Sequence, residues 1–163
     1  MTPARDPAGR PNTMPWPPII FVAAAIMAVL LGRLYQPGIP LPAGLATVLG
    51  AGVMLAGLGL DIAAMVVMHR HRANILPHRA ATALVTSGPF AISRNPIYLG
   101  NTLLLTGAAL VFGNAWFLAA ALGAALVVGK LAVEREEAHL AALFGTAWHD
   151  YARRTPRWLR LRP

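Results

Sequence analysis

Residues 95–129 form a run of 35 positions without a charged side chain. A single helix of that length would reach ~52 Å at ~1.5 Å per residue, well beyond a hydrocarbon core of ~30 Å. Gly113-Asn114 stands near its middle, and glycine followed by asparagine is a turn signal. The run therefore reads as a helical hairpin with two short arms. Two more apolar stretches precede it. Pro11 to Gly32 carries no charge, with Ile19 to Leu31 continuously apolar, and Leu41 to Met68 is apolar except for Asp61. Pro37 to Pro42, with three prolines and a glycine, reads as the tight loop between them. The pattern predicts spans near 15–34, 41–68, 97–112 and 116–133. The fold class expected is an all-α integral membrane protein with about four transmembrane helices plus a C-terminal amphipathic helix.

Composition agrees with this reading, since 56% of the residues are hydrophobic and 12% charged, against roughly 25% charged in soluble domains. The formal charge of +8 would also suit a nucleic-acid binder. Here, however, the basic residues flank apolar runs without interleaved aromatics, so anionic membrane lipids are the expected partner and nucleic acid is not. With no cysteine, disulfides, thiolate metal sites and cysteine nucleophiles are excluded. His69-x-His71 lacks a third ligand at a recognised spacing and reads as an interfacial cluster, so no metal is expected. The proline-rich lead at 1–18 is expected to be disordered. It is followed by Gly32-Arg33-Leu34-Tyr35 with no small-x-small cleavage site, which favours a retained span over a signal peptide. The basic loop at 69–79 is expected on the cytoplasmic side, with both termini on that side too, and the alanine- and arginine-rich usage suits a bacterial inner membrane. The chain thus divides into the lead at 1–18, two spans and the basic loop at 19–83, a C-terminal functional region at 84–157, and a basic tail at 158–163.

The polar exceptions carry the functional signal. Asn95-Pro96 reads as an N-cap with proline at the first helical position, so Arg94 and exposed backbone N–H groups sit at the mouth of an apolar helix. Tyr98, Asn101, Thr102 and Thr106 fall on one arc of that helix. Asp61 is an intramembrane carboxylate, either functional or a packing hydrogen bond. The glycines at 44, 50, 52, 57 and 59 suit close approach of membrane helices; Gly44, Val48 and Gly52 recur every four residues, but Gly52 and Gly57 are not at that spacing, so close packing without a specific dimer motif is expected. Past Lys130 the chain turns amphipathic. Projected as one helix, Leu140, Leu143, Phe144, Ala147 and Tyr151 share a face with Glu136, Glu137 lies on its edge, Glu134 lies well outside it, and His139 projects away from it. A carboxylate on a buried face needs a cation or a proton, which singles out Glu136.

Two separated signatures then stand together: Leu84-Val85-Thr86-Ser87-Gly88-Pro89-Phe90 with Ser93-Arg94-Asn95-Pro96-Ile97-Tyr98-Leu99-Gly100, and Glu136-Glu137-x-x-Leu140-x-x-x-Phe144-Gly145-x-x-Trp148-x-x-Tyr151, closed by Pro156-Arg157. This pattern resembles the isoprenylcysteine carboxyl methyltransferase family and the related phospholipid N-methyltransferases, over the C-terminal half from Leu84 to Arg157. The resemblance implies a membrane enzyme using S-adenosyl-L-methionine, with a lipid-like methyl acceptor entering from the bilayer. It also implies a cofactor site from the helix start, the segment before it and the Glu-Glu helix: Gly88, Pro89, Phe90, Asn95, Tyr98, Asn101, Glu136 and Glu137, with Arg94 and Glu136 in the catalytic set. Asn95 stands where many relatives carry histidine, and Trp148 where a tyrosine is common.

The residue chemistry fits that cofactor. Its ammonium calls for a carboxylate such as Glu136 or Glu137, its carboxylate for Arg94 through a planar fork or for helix-start N–H groups, and its adenine for a flat slot near Tyr98 and Phe90. No base for deprotonating an amine or thiol is evident in the sequence, which favours a carboxylate or an already deprotonated acceptor, and carboxyl O-methylation is the reaction expected. A phospholipid amine acceptor remains an alternative, as does a non-catalytic lipid-binding membrane protein of the same fold.

Overall fold

The computed structural model describes residues 16–73 and 82–159. The expected disordered lead before Trp16, the part of the basic loop holding His78 and Arg79, and the tail beyond Leu159 lie outside the described residues.

Helix α1 (Trp16–Leu34) begins with Pro17 and Pro18 in its first turn, where a missing N–H costs nothing. Helix α2 runs Ala43–Arg70, α3 Pro96–Phe112 and α4 Trp116–Val128. A five-residue π-helix, Gly129–Val133, joins α4 to α5 (Glu134–Phe144). α6 (Thr146–Arg154) follows. α1, α2 and the helical run Trp116–Phe144 are long and apolar enough to cross a membrane, and α3 is a shorter apolar fourth. The expected spans therefore coincide with α1 to α4 within a few residues at each end.

The helices pack in the order α2, α3, α4, α1. The interior is made of small residues: Ala28, Ala108, Ala109, Ala121, Ala124 and Ala132 are buried beside Phe21, Phe117, Val128 and Val133. Large aliphatics such as Val22, Val48, Leu122 and Leu126 face outward. That is the reverse of a water-soluble bundle, and it suits a lipid solvent in which close backbone approach holds helices together.

The closest approach is the α2–α3 seam, made on α2 by two of the expected glycines, Gly50 and Gly57. A Cβ added at Gly44 or Gly52 would meet nothing within 4 Å, whereas Gly50 faces Gly107 and Gly57 faces Gly100. A Cβ at Gly57 would lie 2.7 Å from the Gly100 carbonyl oxygen, and one at Gly100 would lie 2.8 Å from that of Gly57. The working spacing is seven residues on each helix, which keeps one narrow glycine stripe facing its partner.

The hairpin turn is closed as expected at Gly113-Asn114. Gly113 is left-handed at φ +58°. The Asn114 N–H reaches the Ala109 carbonyl at 3.0 Å and that of Gly113 reaches Leu110 at 3.4 Å, completing a Schellman motif. The buried Asn114 side chain then ties this turn to α1, donating to the Ala28 carbonyl at 3.1 Å while its Oδ1 accepts the Trp116 N–H at 3.1 Å. Asn114→Ala is expected to lose both bonds and lower stability by about 1–3 kcal/mol. A thermal melt in detergent that is unchanged by this substitution would contradict that role.

The expected single amphipathic helix is two helices. Gly145 adopts φ 50°, ψ −122°, a conformation that only glycine takes readily, so a continuous projection across it does not hold. Leu143 and Ala147 are exposed, while Tyr151 is buried.

Candidate functional site

The helix start is built by the segment before it. Ser87 is extended, and Gly88 (φ +61°) with Pro89 forms a 3-10 turn, Gly88–Ala91, that rests on Val67 of α2. Ser93 is buried, and its Oγ accepts the Asn95 N–H at 3.1 Å. α3 then begins at Pro96, with Asn95 at the N-cap position as expected. The Asn95 side chain does not cap the helix, however; it donates instead to the Arg157 carbonyl at 3.0 Å. The orphan N–H groups of the first turn of α3 are thus left without an Asn95 cap.

A C-terminal strap wraps over this start. The Arg94 N–H donates to the Pro156 carbonyl at 2.9 Å, Ser93 Oγ to that of Arg157 at 3.2 Å, and the Tyr151 hydroxyl to that of Phe90 at 2.7 Å. Burial is the main cause holding the Tyr151 phenol above its ordinary pKa, so it serves as a neutral donor. Trp148 is buried and packs edge-on against Tyr151 with centroids 5.7 Å apart. It also underlies the Arg94 guanidinium, whose Cζ stands 5.5 Å from the ring centroid, a cation–π contact.

α5 supplies the carboxylates. Glu137 accepts from Arg157 Nε at 3.1 Å and from an Arg157 terminal nitrogen at 2.5 Å, and lies 3.3 Å from an Arg94 terminal nitrogen. Arg157 thus makes a planar fork to Glu137, and these hydrogen bonds raise its pKa. The Arg94 Nε is buried and has no hydrogen-bond partner. Glu136, one position earlier and so turned toward the membrane helices, accepts the Tyr98 hydroxyl at 2.8 Å. Glu134 is paired with Lys130 on the exposed side, at 3.0 Å.

Arg94, Asn95, Tyr98, Glu136 and Glu137 are thus brought together, with Gly88, Pro89 and Phe90 in the adjoining turn. The Asn101 amide donates to the Ile97 carbonyl within α3 at 2.9 Å. Thr102 and Thr106 similarly bond back one turn, so the polar arc of α3 is largely self-satisfied and only Tyr98 reaches across. His139, expected to project away from the apolar face, has a buried Nε2. Sequence reasoning does not single out Arg157 or Ser93 as participants; the signal for Arg157 is its place closing the second signature. Among the described residues no group of three or more His, Asp or Glu side chains is placed to hold a metal ion.

The donor set suits a zwitterionic cation. An orphaned buried guanidinium nitrogen and a helix start not capped by Asn95 match a carboxylate, and the acidic pair on α5 matches an ammonium. A model of the phospholipid methyltransferase family matches residues 45–147, which run from α2 into α6 and include the helix start and both carboxylates. The chain belongs to the phospholipid methyltransferase family. A curated relative, the nickel-cobalt-cadmium resistance protein NccN of Alcaligenes xylosoxydans xylosoxydans, is 31% identical over 137 residues, which is 84% of this chain. The chain spans 60% of the length of that relative. The family match therefore falls on the phospholipid branch named in the sequence resemblance. The strap residues Trp148 to Arg157 lie beyond the matched segment, so their contacts come from the structure.

Proposed function

We propose that this protein is a membrane-embedded methyltransferase using S-adenosyl-L-methionine to methylate a lipid amine. Membership of the phospholipid methyltransferase family favours a phospholipid acceptor over the carboxyl acceptor expected from sequence. The observation that carries the site assignment is the division of labour on α5. Glu137 is tied to the Arg94 and Arg157 guanidinium groups that hold the strap, whereas Glu136 is turned toward α3, where it accepts the Tyr98 hydroxyl beside the helix start. Its position on the α3 side, beside Tyr98 and the helix start, is what assigns Glu136 to the cofactor ammonium. Arg94, with its unused Nε, and the first N–H groups of α3 receive the carboxylate.

The cofactor supplies an electrophilic methyl group on a sulfonium centre. The work of the chain is to position it and to exclude water, which can provide much of the acceleration in an in-line displacement. Glu137, Arg94 and Arg157 hold the strap over the helix start, and the Gly88–Ala91 turn closes the side against α2.

The direct test is to supply methyl-labelled S-adenosyl-L-methionine to the protein in nanodiscs containing phosphatidylethanolamine. Label in the lipid amine fraction is expected. Label confined to carboxyl esters, which base releases as methanol, would favour the prenylcysteine-type reaction, and no transfer would favour a lipid-binding relative without activity.

The proposed orientation places the 69–79 loop and both termini in the cytoplasm. In this cysteine-free chain, a single cysteine at Gly38 should react with an impermeant reagent in intact cells and one at Ala80 should not. Labelling at 80 would invert the topology.

A further inference from the structure

Helices α1 and α4 do not close on each other along their whole length. Between them runs an apolar groove with a floor of small residues, Ala24 and Ala28 on α1 with Ala120, Gly123 and Ala124 on α4. Gly123 is open to it, since a Cβ there would meet nothing within 4 Å. Among the described residues that line it, only Trp116 has a polar side-chain group, and that indole N–H is spent on the Tyr35 carbonyl at 2.8 Å. Two more hydrogen bonds fix the spacing of the helices at the hairpin end, from the Asn114 amide to the Ala28 carbonyl at 3.1 Å and from the Ala115 N–H to the Pro37 carbonyl at 3.0 Å. The groove is thus preformed, not a gap that the two helices can shut.

Its dimensions say what fits. From Ile20 to Leu31 on α1, and from Trp116 to Val127 on α4, the groove runs ~16 Å at ~1.5 Å per residue. It holds about 350 Å³, or about 690 Å³ with its open side counted. Over that length even the larger volume is a cross-section of ~42 Å², about 7 Å across, whereas a helix with its side chains needs about 10–12 Å. A helix of a second copy is therefore too wide, and a hydrocarbon chain is not. The length is about half of a ~30 Å hydrocarbon core, the depth of one leaflet. One end opens at the hairpin turn, where Tyr35 and Phe112 are exposed, aromatic residues of the kind that sit at headgroup level. Toward the other end the walls close, where α1 meets the π-helix Gly129–Val133 and Pro17 is fully buried. Glu136 stands beyond that closed end, ~30 Å from Trp116 along the run of α4 into α5.

We propose that this groove seats one acyl chain of a phospholipid from the leaflet on the hairpin side, a lipid separate from the methyl acceptor. Such a lipid is held whether or not the opposite end of the molecule transfers methyl groups. An empty groove forfeits dispersion contacts along its whole lining, and a chain lying on fixed walls restores them. In a lipid solvent, where burial of apolar surface brings helices no gain, contacts of this kind are what favour one arrangement over another. The seated chain fills the space that the small side chains leave and so holds α1 against the hairpin.

The test is native mass spectrometry of the full chain, reconstituted in phosphatidylethanolamine vesicles and then taken into a mild detergent. Wild type is expected to retain one phospholipid. In Gly123→Phe the new Cβ meets no atom of the protein and the ring occupies the groove, so retained lipid should fall about tenfold or more. Leu122→Phe, at a position of α4 that is 64% exposed and outside the groove, should leave it within about twofold. Ala119→Leu narrows the groove from an already exposed position and takes the place of Gly123→Phe if that variant folds in low yield. Equal retention in the groove variant and in Leu122→Phe, or no retention in wild type, would overturn the proposal and leave bulk lipid only along this face. A wild-type dimer that Gly123→Phe converts to monomers would overturn it as well, by making the groove a contact between copies.

Discussion

Gly107→Ala is expected to reduce the folded yield of this protein sharply, although alanine is otherwise the better helix former by about 1 kcal/mol. The added Cβ would lie 2.5 Å from the Gly50 carbonyl oxygen, 2.5 Å from Met54 Cγ and 2.9 Å from the Met54 nitrogen. The Met54 side chain can swing aside, but the other two atoms are backbone, so α2 and α3 must part. Overpacking of this kind costs about 1–3 kcal/mol or more. Parting the helices would also open the Gly57–Gly100 contact and shift the start of α3 against the 3-10 turn. Gly52→Ala is the matched control, because nothing lies within 4 Å of a Cβ there and it should be neutral or stabilising. Equal yield and melting temperature for the two variants would show that the seam does not depend on glycine contact.

The second large effect is expected at Glu137. Glu137→Gln leaves the Arg94 and Arg157 guanidinium groups without their shared counter-charge, and Arg94 is only 15% exposed in its side chain. Breaking a buried pair costs roughly 3–5 kcal/mol. With the Arg157 side chain 39% exposed, water recovers part of this, so about 3 kcal/mol is expected, at the lower end of that range. The visible result should be release of the strap: faster proteolysis after Arg153 or Arg154, together with a lower melting temperature. Arg157→Lys should do much of the same damage, since an ammonium cannot reproduce the two parallel bonds of the fork. Strap protection identical to wild type in Glu137→Gln would mean that the backbone bonds from Ser93, Arg94 and Asn95 suffice to hold it.

The spans are legible in the sequence because each is an apolar run interrupted by proline, glycine or charge, and these signals are local. Asn95-Pro96 and Gly113-Asn114 likewise fix where α3 begins and ends through backbone chemistry that neighbouring residues specify. The partners of side chains are not legible in the same way. That the Asn95 amide turns to the Arg157 carbonyl, or that Gly50 rather than Gly52 meets α3, depends on register between segments far apart in sequence. Glu136 stands out as the acid facing the membrane helices because its face is set within one turn of α5. The projection fails beyond Gly145, where a glycine in an unusual conformation redirects the chain.

Calorimetric titration of the purified protein with S-adenosyl-L-methionine tests most directly whether Glu136 receives the cofactor ammonium. Wild type should bind at one saturable site. Glu136→Gln should weaken binding about tenfold or more, the cost of a charge-assisted hydrogen bond. Glu134→Gln, on the exposed side with Lys130, should change it less than about twofold. The folded yield of each variant is measured alongside, since Glu136 also accepts the Tyr98 hydroxyl. Equal affinities for the two variants, with lower yield for Glu136→Gln alone, would contradict the assignment and make Glu136 a structural acid.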